Sequence, residues 1–292
     1  MDMSIHRMLV PLDFPGSKSS VADQAVYLAR QFQAEIILLH VVSPWSHLVH
    51  PLEQGTEFQE QGLWVEAVQQ AQRNLDHAHQ PEPRGVVLRR LLRKGDPARE
   101  ILRAARDEHA DLILMSTRHH GSLYRFLLGS VTAKVLHDAD LPVWTDKGRS
   151  EELSREFAIR SVLCAIDLSA HSRETLVRAA QVASRFGARL TLAHVTASVE
   201  TYGPGGAYVI PEWKEALVSA ATNEIAKLQR DVGTKADVII ENGHLHTSLN
   251  LAAEHSKADI LVIGRLGAGG HLGQSGSGYA VIRDSTIPVL SL

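Results

Sequence analysis

Arg7-Met8-Leu9-Val10-Pro11-Leu12-Asp13 returns, loosely, as Ser161-Val162-Leu163-Cys164-Ala165-Ile166-Asp167, 154 residues later. The same offset carries Ala25 onto Ala179, Ala29 onto Ala183, Phe32 onto Phe186, Ala34 onto Ala188, Leu38 onto Leu192, His40 onto His194 and Val41 onto Val195. With Asp13 and Asp167 these make eight identities over the 29 positions from 13 to 41; composition alone would give about two. Farther on, at an offset of 148, Gly95 meets Gly243, Ala104-Ala105 meets Ala252-Ala253 and Ala110-Asp111 meets Ala258-Asp259. Near the ends Leu141-Pro142-Val143 meets Ile287-Pro288-Val289 at an offset of 146. A period of about 145 residues means duplicated domains, because solenoid repeats run only ~20–50 residues. The stretch Asp146-Lys147-Gly148-Arg149-Ser150-Glu151-Glu152 between the copies is charged and non-periodic, and reads as a linker. We expect domains at 1–146 and 159–292, joined by residues 147–158.

Within each copy, strand and helix patterns alternate. Ile36-Ile37-Leu38-Leu39-His40-Val41-Val42, Leu112-Ile113-Leu114-Met115 and Ile260-Leu261-Val262-Ile263 are short, branched and apolar on both faces. Such runs suit parallel strands covered by helices on both sides. Val21, Ala25, Leu28, Ala29 and Phe32 fall at helical spacing, as do Ala98, Ile101, Leu102 and Ala105 behind Asp96-Pro97, an N-cap and first-turn pair. Each copy reads β-α-β-α-β-α-β-α-β. The fold class is α/β: two tandem copies of an open, parallel five-stranded sheet flanked by helices, with right-handed crossovers. Ligands of such sheets bind at the carboxyl ends of the strands, near a switch in strand order.

Composition narrows the partners. The 292 residues carry 30 basic and 33 acidic side chains and a formal net charge of -3, which argues against nucleic acid. The longest apolar run is five residues, for example Val162 to Ile166; a membrane span needs about 20, so we expect no membrane. The N-terminus lacks an apolar signal core, and the single Cys cannot form an internal disulfide, so a reducing cytoplasm is expected.

Several chemistries lack their motif. No Gly-x-Gly-x-x-Gly follows the first strand of either copy, and there is no Gly-Lys dipeptide, His-Glu-x-x-His or Gly-x-Ser-x-Gly. Cys164 falls inside a buried strand, where a thiol is structural. What remains is the loop after the fourth strand, Ser116 to Val131 in the first copy and Gly264 to Gly278 in the second, each running to a Gly-Ser at a helix start. A helix N-terminus offers unpaired N–H groups and partial positive charge, which suits phosphate. A flexible surface loop is the plain alternative.

These residues resemble the universal stress protein family over nearly the whole chain. Its nucleotide-binding members carry Gly-x2-Gly-x9-Gly-Ser/Thr after the fourth strand, an Asp at the end of the first strand that contacts adenine, and a backbone contact to adenine after the second. Asp13 and Asp167 match that Asp, and Val41 and Val195 match the second-strand position. Leu123-Tyr124-Arg125-Phe126-Leu127-Leu128-Gly129-Ser130-Val131 is similar to the family's leucine-rich stretch, and Arg93-Lys94-Gly95-Asp96-Pro97-Ala98 resembles its third-strand exit. The resemblance implies an adenine nucleotide alpha hydrolase-like, Rossmann-like fold and ATP, with AMP or ADP as alternatives, as ligand.

Neither loop is intact. In the first copy Ser116 and His119 stand where glycines belong, while Gly129-Ser130 is kept; in the second Gly264 and Gly267 are present, and Gly276-Ser277 comes one residue early. Glycine absorbs a one-residue shift more readily than a side chain at 119 clears the phosphates. The favoured nucleotide site is therefore Asp167, Val195, Gly264, Gly267, Gly276 and Ser277, and the less favoured one is Asp13, Val41, Gly129 and Ser130. No catalytic residue and no metal is assigned, and hydrolysis is slow at most. The alternative function is a nucleotide-free interaction scaffold with degenerate loops. By the same resemblance the edge strands Leu141-Pro142-Val143-Trp144 and Ile287-Pro288-Val289-Leu290 are expected to pack the two copies as an intramolecular pseudo-dimer; association into a homo-oligomer is left open.

Two further features stand out. Pro44 to Gln61 and Thr196 to Pro211 read as long βα loops, with Trp45, His47, His50, Tyr202, Tyr208 and Trp213 in or beside them. They are expected to cover the sheet's end, or to act as a lid over the adenine pocket or as a partner surface. The 16 His include close pairs at 47/50, 77/79, 119/120 and 244/246, read as solvated. Glu241, His244 and His246 at the third-strand exit are the best metal candidates among them. His40 and His194 read as satisfied strand residues without a catalytic role.

Overall fold

The structure, a computed structural model, describes residues 4–13, 20–43, 57–78, 83–117, 128–147, 157–196, 200–203, 206–209, 211–265 and 277–292. The chain divides into two compact units, one built on Ser4–Arg118 with Gly129–Phe157, the other on Ala158–Leu292.

In the first unit the strands β1 (Arg7–Pro11), β2 (Glu35–Val42), β3 (Leu88–Lys94), β4 (Leu112–Ser116) and β5 (Val143–Asp146) alternate with helices α1 (Ser20–Phe32), α2 (Glu57–His77), α3 (Pro97–Asp107) and α4 (Ser130–Asp138). The strand order is β5-β4-β1-β2-β3, all parallel. The second unit repeats this with β6 (Ser161–Ala165), α5 (Ser172–Phe186), β7 (Arg189–Thr196), α6 (Pro211–Val232), β10 (Asp237–Asn242), α7 (Leu245–Ser256), β11 (Ile260–Ile263), α8 (Ser277–Asp284) and β12 (Val289–Ser291), in the order β10-β7-β6-β11-β12. In each unit the chain runs outward from the central first strand to the third and then returns to its other side. The switch in strand order thus lies between β1 and β4, and between β6 and β11.

The apolar runs account for the core. Met8, Leu9 and Val10 are fully buried, as are Val162, Leu163 and Cys164, and the helical positions Ala25, Leu28 and Ala29 close over the sheet. Cys164 belongs to this core. Burial pushes its thiol up to about 12, which removes the thiolate a nucleophile needs.

The matched Ala-Asp pairs have a shared task. Asp111 Oδ2 accepts from the His6 and Arg7 N–H groups at 2.7 and 3.0 Å, and Asp259 Oδ2 accepts from Arg160 and Ser161 at 2.7 and 2.9 Å. Each carboxylate thereby ties the start of its unit's first strand to the turn before the fourth. At the third-strand exits Gly95 and Gly243 take φ of 141° and 127°, open to glycine and strained for other residues. Asp96 then caps α3, its side chain accepting from the Arg99 N–H, with Pro97 in the first turn.

Three sequence expectations need correction. Glu57 to Gln61, read as loop, open helix α2. Within Thr196 to Pro211 the chain forms an antiparallel hairpin, β8 (Glu200–Gly203) with β9 (Gly206–Val209), whose innermost pair is Gly203 with Gly206. Asp146, on which the charged stretch read as linker opens although the expected first domain ends there, is the buried end of β5. It is tolerated there because Gln24 Nε2 donates to its Oδ2 at 2.8 Å. The other end of the linker is anchored too: Phe157 is buried edge-on to Tyr27 and Trp144, with ring centroids 5.2 and 6.2 Å away.

Candidate functional site

The sheet brings the first- and second-strand candidates of each copy together. Asp13 lies two residues beyond β1 and Asp167 two beyond β6, and both are exposed. Val41 and Val195 sit near the ends of the neighbouring strands β2 and β7, half-buried. Between them stand the two matched histidines. His40 Nδ1 lies 2.9 Å from the Leu12 carbonyl, and His194 Nδ1 lies 2.7 Å from the Ile166 carbonyl. A carbonyl only accepts, so each Nδ1 carries the proton. Burial lowers the pKa of His40, opposed by that hydrogen bond and by the charge of Asp13; the ring is held neutral near pH 7. Both histidines are satisfied strand residues, as their setting in the sequence implies.

Asp167 is engaged locally. Its Oδ1 accepts from the Ser169 N–H at 2.9 Å and from the Ser172 hydroxyl at 2.8 Å, an Asx-type turn that leads into α5. Burial pushes this carboxyl up, but the hydrogen bonds from Ser169 and Ser172 outweigh it and hold the group below the usual carboxylate range. The folded state therefore binds this proton less readily than the unfolded chain. The resulting stability is fully present above the usual carboxylate range and is lost as pH falls through the lowered folded value. Asp167→Asn keeps an acceptor oxygen but no charge. Wild type should exceed it in urea midpoint near neutral pH, with the gap closing in strong acid; a gap constant with pH would contradict this account.

The fourth-strand exits differ between copies. Gly264 follows β11 directly, and a Cβ built on it would lie 3.1 Å from Thr175 Oγ1 in the first turn of α5. Glycine lets the chain leave the strand close against that helix. In the first copy Ser116 takes this place as the last residue of β4, and its carbonyl accepts from Thr132 Oγ1 at 3.0 Å, tying the strand end to α4. Gly129 is the buried N-cap of α4 and Ser130 its first residue. The next residue after Ser116, Thr117, is 5% exposed, and its hydroxyl has no partner among the described residues. Ser277 opens α8, while Gly267, Gly276, His119, Gly121 and the leucine-rich stretch through Leu127 lie outside the described residues.

The metal candidates do not converge. Glu241 faces His255 at 3.6 Å, His246 faces Asp284 at 3.9 Å, and the His244 ring stacks on His246 with centroids 6.5 Å apart. Among the described residues no three His, Cys, Asp or Glu side chains gather as a metal set.

Comparison with known proteins fits this duplicated architecture. A model of the universal stress protein family matches residues 4–147 and again 158–291. A universal stress protein of Mycolicibacterium smegmatis is 27% identical over 293 residues, covering 97% of this chain and 95% of that protein. One from Methanocaldococcus jannaschii is 31% identical over 146 residues, covering 50% of this chain and 84% of that protein. The crystal structure of a universal stress protein from Archaeoglobus fulgidus shares the fold over 99% of this chain and 97% of its own, with a TM-score of 0.65 at 22% identity. With the family pattern matched once in each half, the chain belongs to the universal stress protein family.

Proposed function

We propose that the chain is an adenine-nucleotide-binding module that holds ATP in its second copy, between the domain at 159–292 and its ligand alone, with the domain at 1–146 as a weaker second site. The observation that carries this is that Asp167 and Gly264 lie just beyond the carboxyl ends of the adjacent strands β6 and β11, at the sheet's switch point, where α/β sheets bind ligands. In this reading Asp167 takes the adenine or ribose side and the Val195 backbone lies along the base. Gly264 and Gly267 let the chain wrap the phosphates, and the N–H groups at Gly276 and Ser277 hold the terminal ones. Asp13, Val41, Gly129 and Ser130 form the equivalent first-copy set, with Ser116 and His119 in place of its glycines. No general base is assigned beside either loop, so hydrolysis is slow at most.

The competing reading is a nucleotide-free scaffold, favoured by the damaged first-copy loop. Heat-released supernatant of the purified protein, analysed for nucleotides, separates the two when paired with calorimetric titration by ATP. Bound adenine nucleotide, or saturable ATP binding near one site per chain, is the expected result. Empty supernatant with no heat of binding would leave the scaffold.

A further inference from the structure

In both units the first strand's ladder stops one rung early at a histidine. The last rung runs from the Leu12 N–H to the Leu39 carbonyl at 2.7 Å, and in the second unit from Ile166 to Ala193 at 2.8 Å. Parallel pairing would next join the Val41 N–H to the Leu12 carbonyl, and the Val195 N–H to the Ile166 carbonyl. Among the described residues neither bond forms, and the strands β1 and β6 end at Pro11 and Ala165. The two carbonyls are held instead by the Nδ1–H groups of His40 and His194. Peptide groups two residues apart on a strand face the same way, so the N–H and C=O of Val41 and Val195 point to the side that the first strand has left.

We propose that His40 and His194 are positioning residues for the nucleotide: each imidazole replaces one rung of the sheet and so keeps the peptide edge of Val41 or Val195 open for the base. This rests on the nucleotide reading above. Without the ring, the carbonyl before Asp13 or Asp167 would close onto the valine N–H, and the Asp would be drawn along the strand with it. The arrangement occurs twice at the same register, although the carbonyl belongs to Leu12 in one unit and Ile166 in the other, and the residue before the histidine is Leu39 in one and Ala193 in the other.

The test uses the full chain and three readouts. In wild type, the imidazole nitrogen spectrum should show a proton on Nδ1 of both rings. The Val195 amide should exchange about tenfold faster in nucleotide-free wild type than in His194→Phe, where the freed Ile166 carbonyl takes that N–H. His194→Phe should also bind ATP about three- to tenfold more weakly, the weight of one neutral hydrogen bond. His194→Asn, whose amide nitrogen can take the place of Nδ1, should keep wild-type exchange and affinity, and serves if the Phe variant fails to fold. A proton on Nε2, unchanged Val195 exchange in the Phe variant, or slowed exchange with unchanged ATP affinity would each overturn the proposal. Loss of exchange protection or ATP binding in the Asn variant as large as in the Phe variant would do the same. If wild type binds no ATP, the nucleotide reading fails and with it the ligand part of this one, whereas the tautomer and exchange results still judge the rung replacement.

Discussion

Trp144→Ala is expected to lower the stability of the first unit by about 3–5 kcal/mol, the range for removing a large buried aromatic. Trp144 is 2% exposed. Its ring meets Phe157 edge-on, and its Nε1–H donates to Gln24 Oε1 at 2.7 Å, while Gln24 Nε2 donates to Asp146 at 2.8 Å. Removing the indole leaves both a cavity and a buried amide oxygen without its donor. Trp144→Phe separates the two effects: it keeps most of the apolar contact and loses only the N–H, at about 1–3 kcal/mol. Combining Trp144→Phe with Gln24→Leu should cost less than the sum of the single changes, with a coupling of about 0.5–3 kcal/mol between these touching residues. Urea unfolding followed by tryptophan-independent circular dichroism gives the midpoints. Additive single changes would mean that the Trp144–Gln24 bond contributes nothing.

This buried chain of polar groups marks the limit of what the sequence displays. Periodicity is a local signal, and it locates β2, β4, β11, α1 and α3, because their apolar residues are spaced as strands and helices require. The Asp96-Pro97 cap was equally visible, since capping depends on residues within one turn. Asp146 was not, because a charged run reads as solvated unless its partner is known, and Gln24 lies 122 positions away. The β8–β9 hairpin has a turn signal in Gly203-Pro204-Gly205-Gly206, but its four-residue strands are too short for alternation to stand out, and the stretch reads as one connecting loop. For the site, the offset of 154 pointed to Asp167, Val195 and their first-copy matches. It also paired His40 with His194, the one signal that could have marked them, yet ring orientation and the missing ladder rung are three-dimensional facts. Gly264 reads as a phosphate glycine in the sequence; its packing against Thr175 gives it a second, structural reason to lack a side chain.

That second reason decides which variant should test the ATP site. Saturating ATP at 100 times its dissociation constant would stabilise the protein by ~2.7 kcal/mol. In a domain of this size ~1 kcal/mol moves the melting midpoint by roughly 2–8 °C, so the shift is readily visible. Gly264→Val would place a branched side chain where even a Cβ lies 3.1 Å from Thr175 Oγ1, and the ligand-free midpoint would fall along with the ATP effect. Gly267→Val is the cleaner probe in the proposed phosphate loop, because it adds bulk where the ligand is expected to approach the backbone. Wild type should show the ATP-dependent shift, and Gly267→Val should lose most of it. Gly121→Val, in the loop of the first copy, should lose less, since Ser116 and His119 already stand in place of two glycines there. If ATP moves the midpoint of neither wild type nor variants, the nucleotide reading is wrong. If Gly121→Val abolishes the shift and Gly267→Val preserves it, ATP belongs to the first copy, and the glycine count is a poorer guide than the retained Gly129-Ser130 helix start.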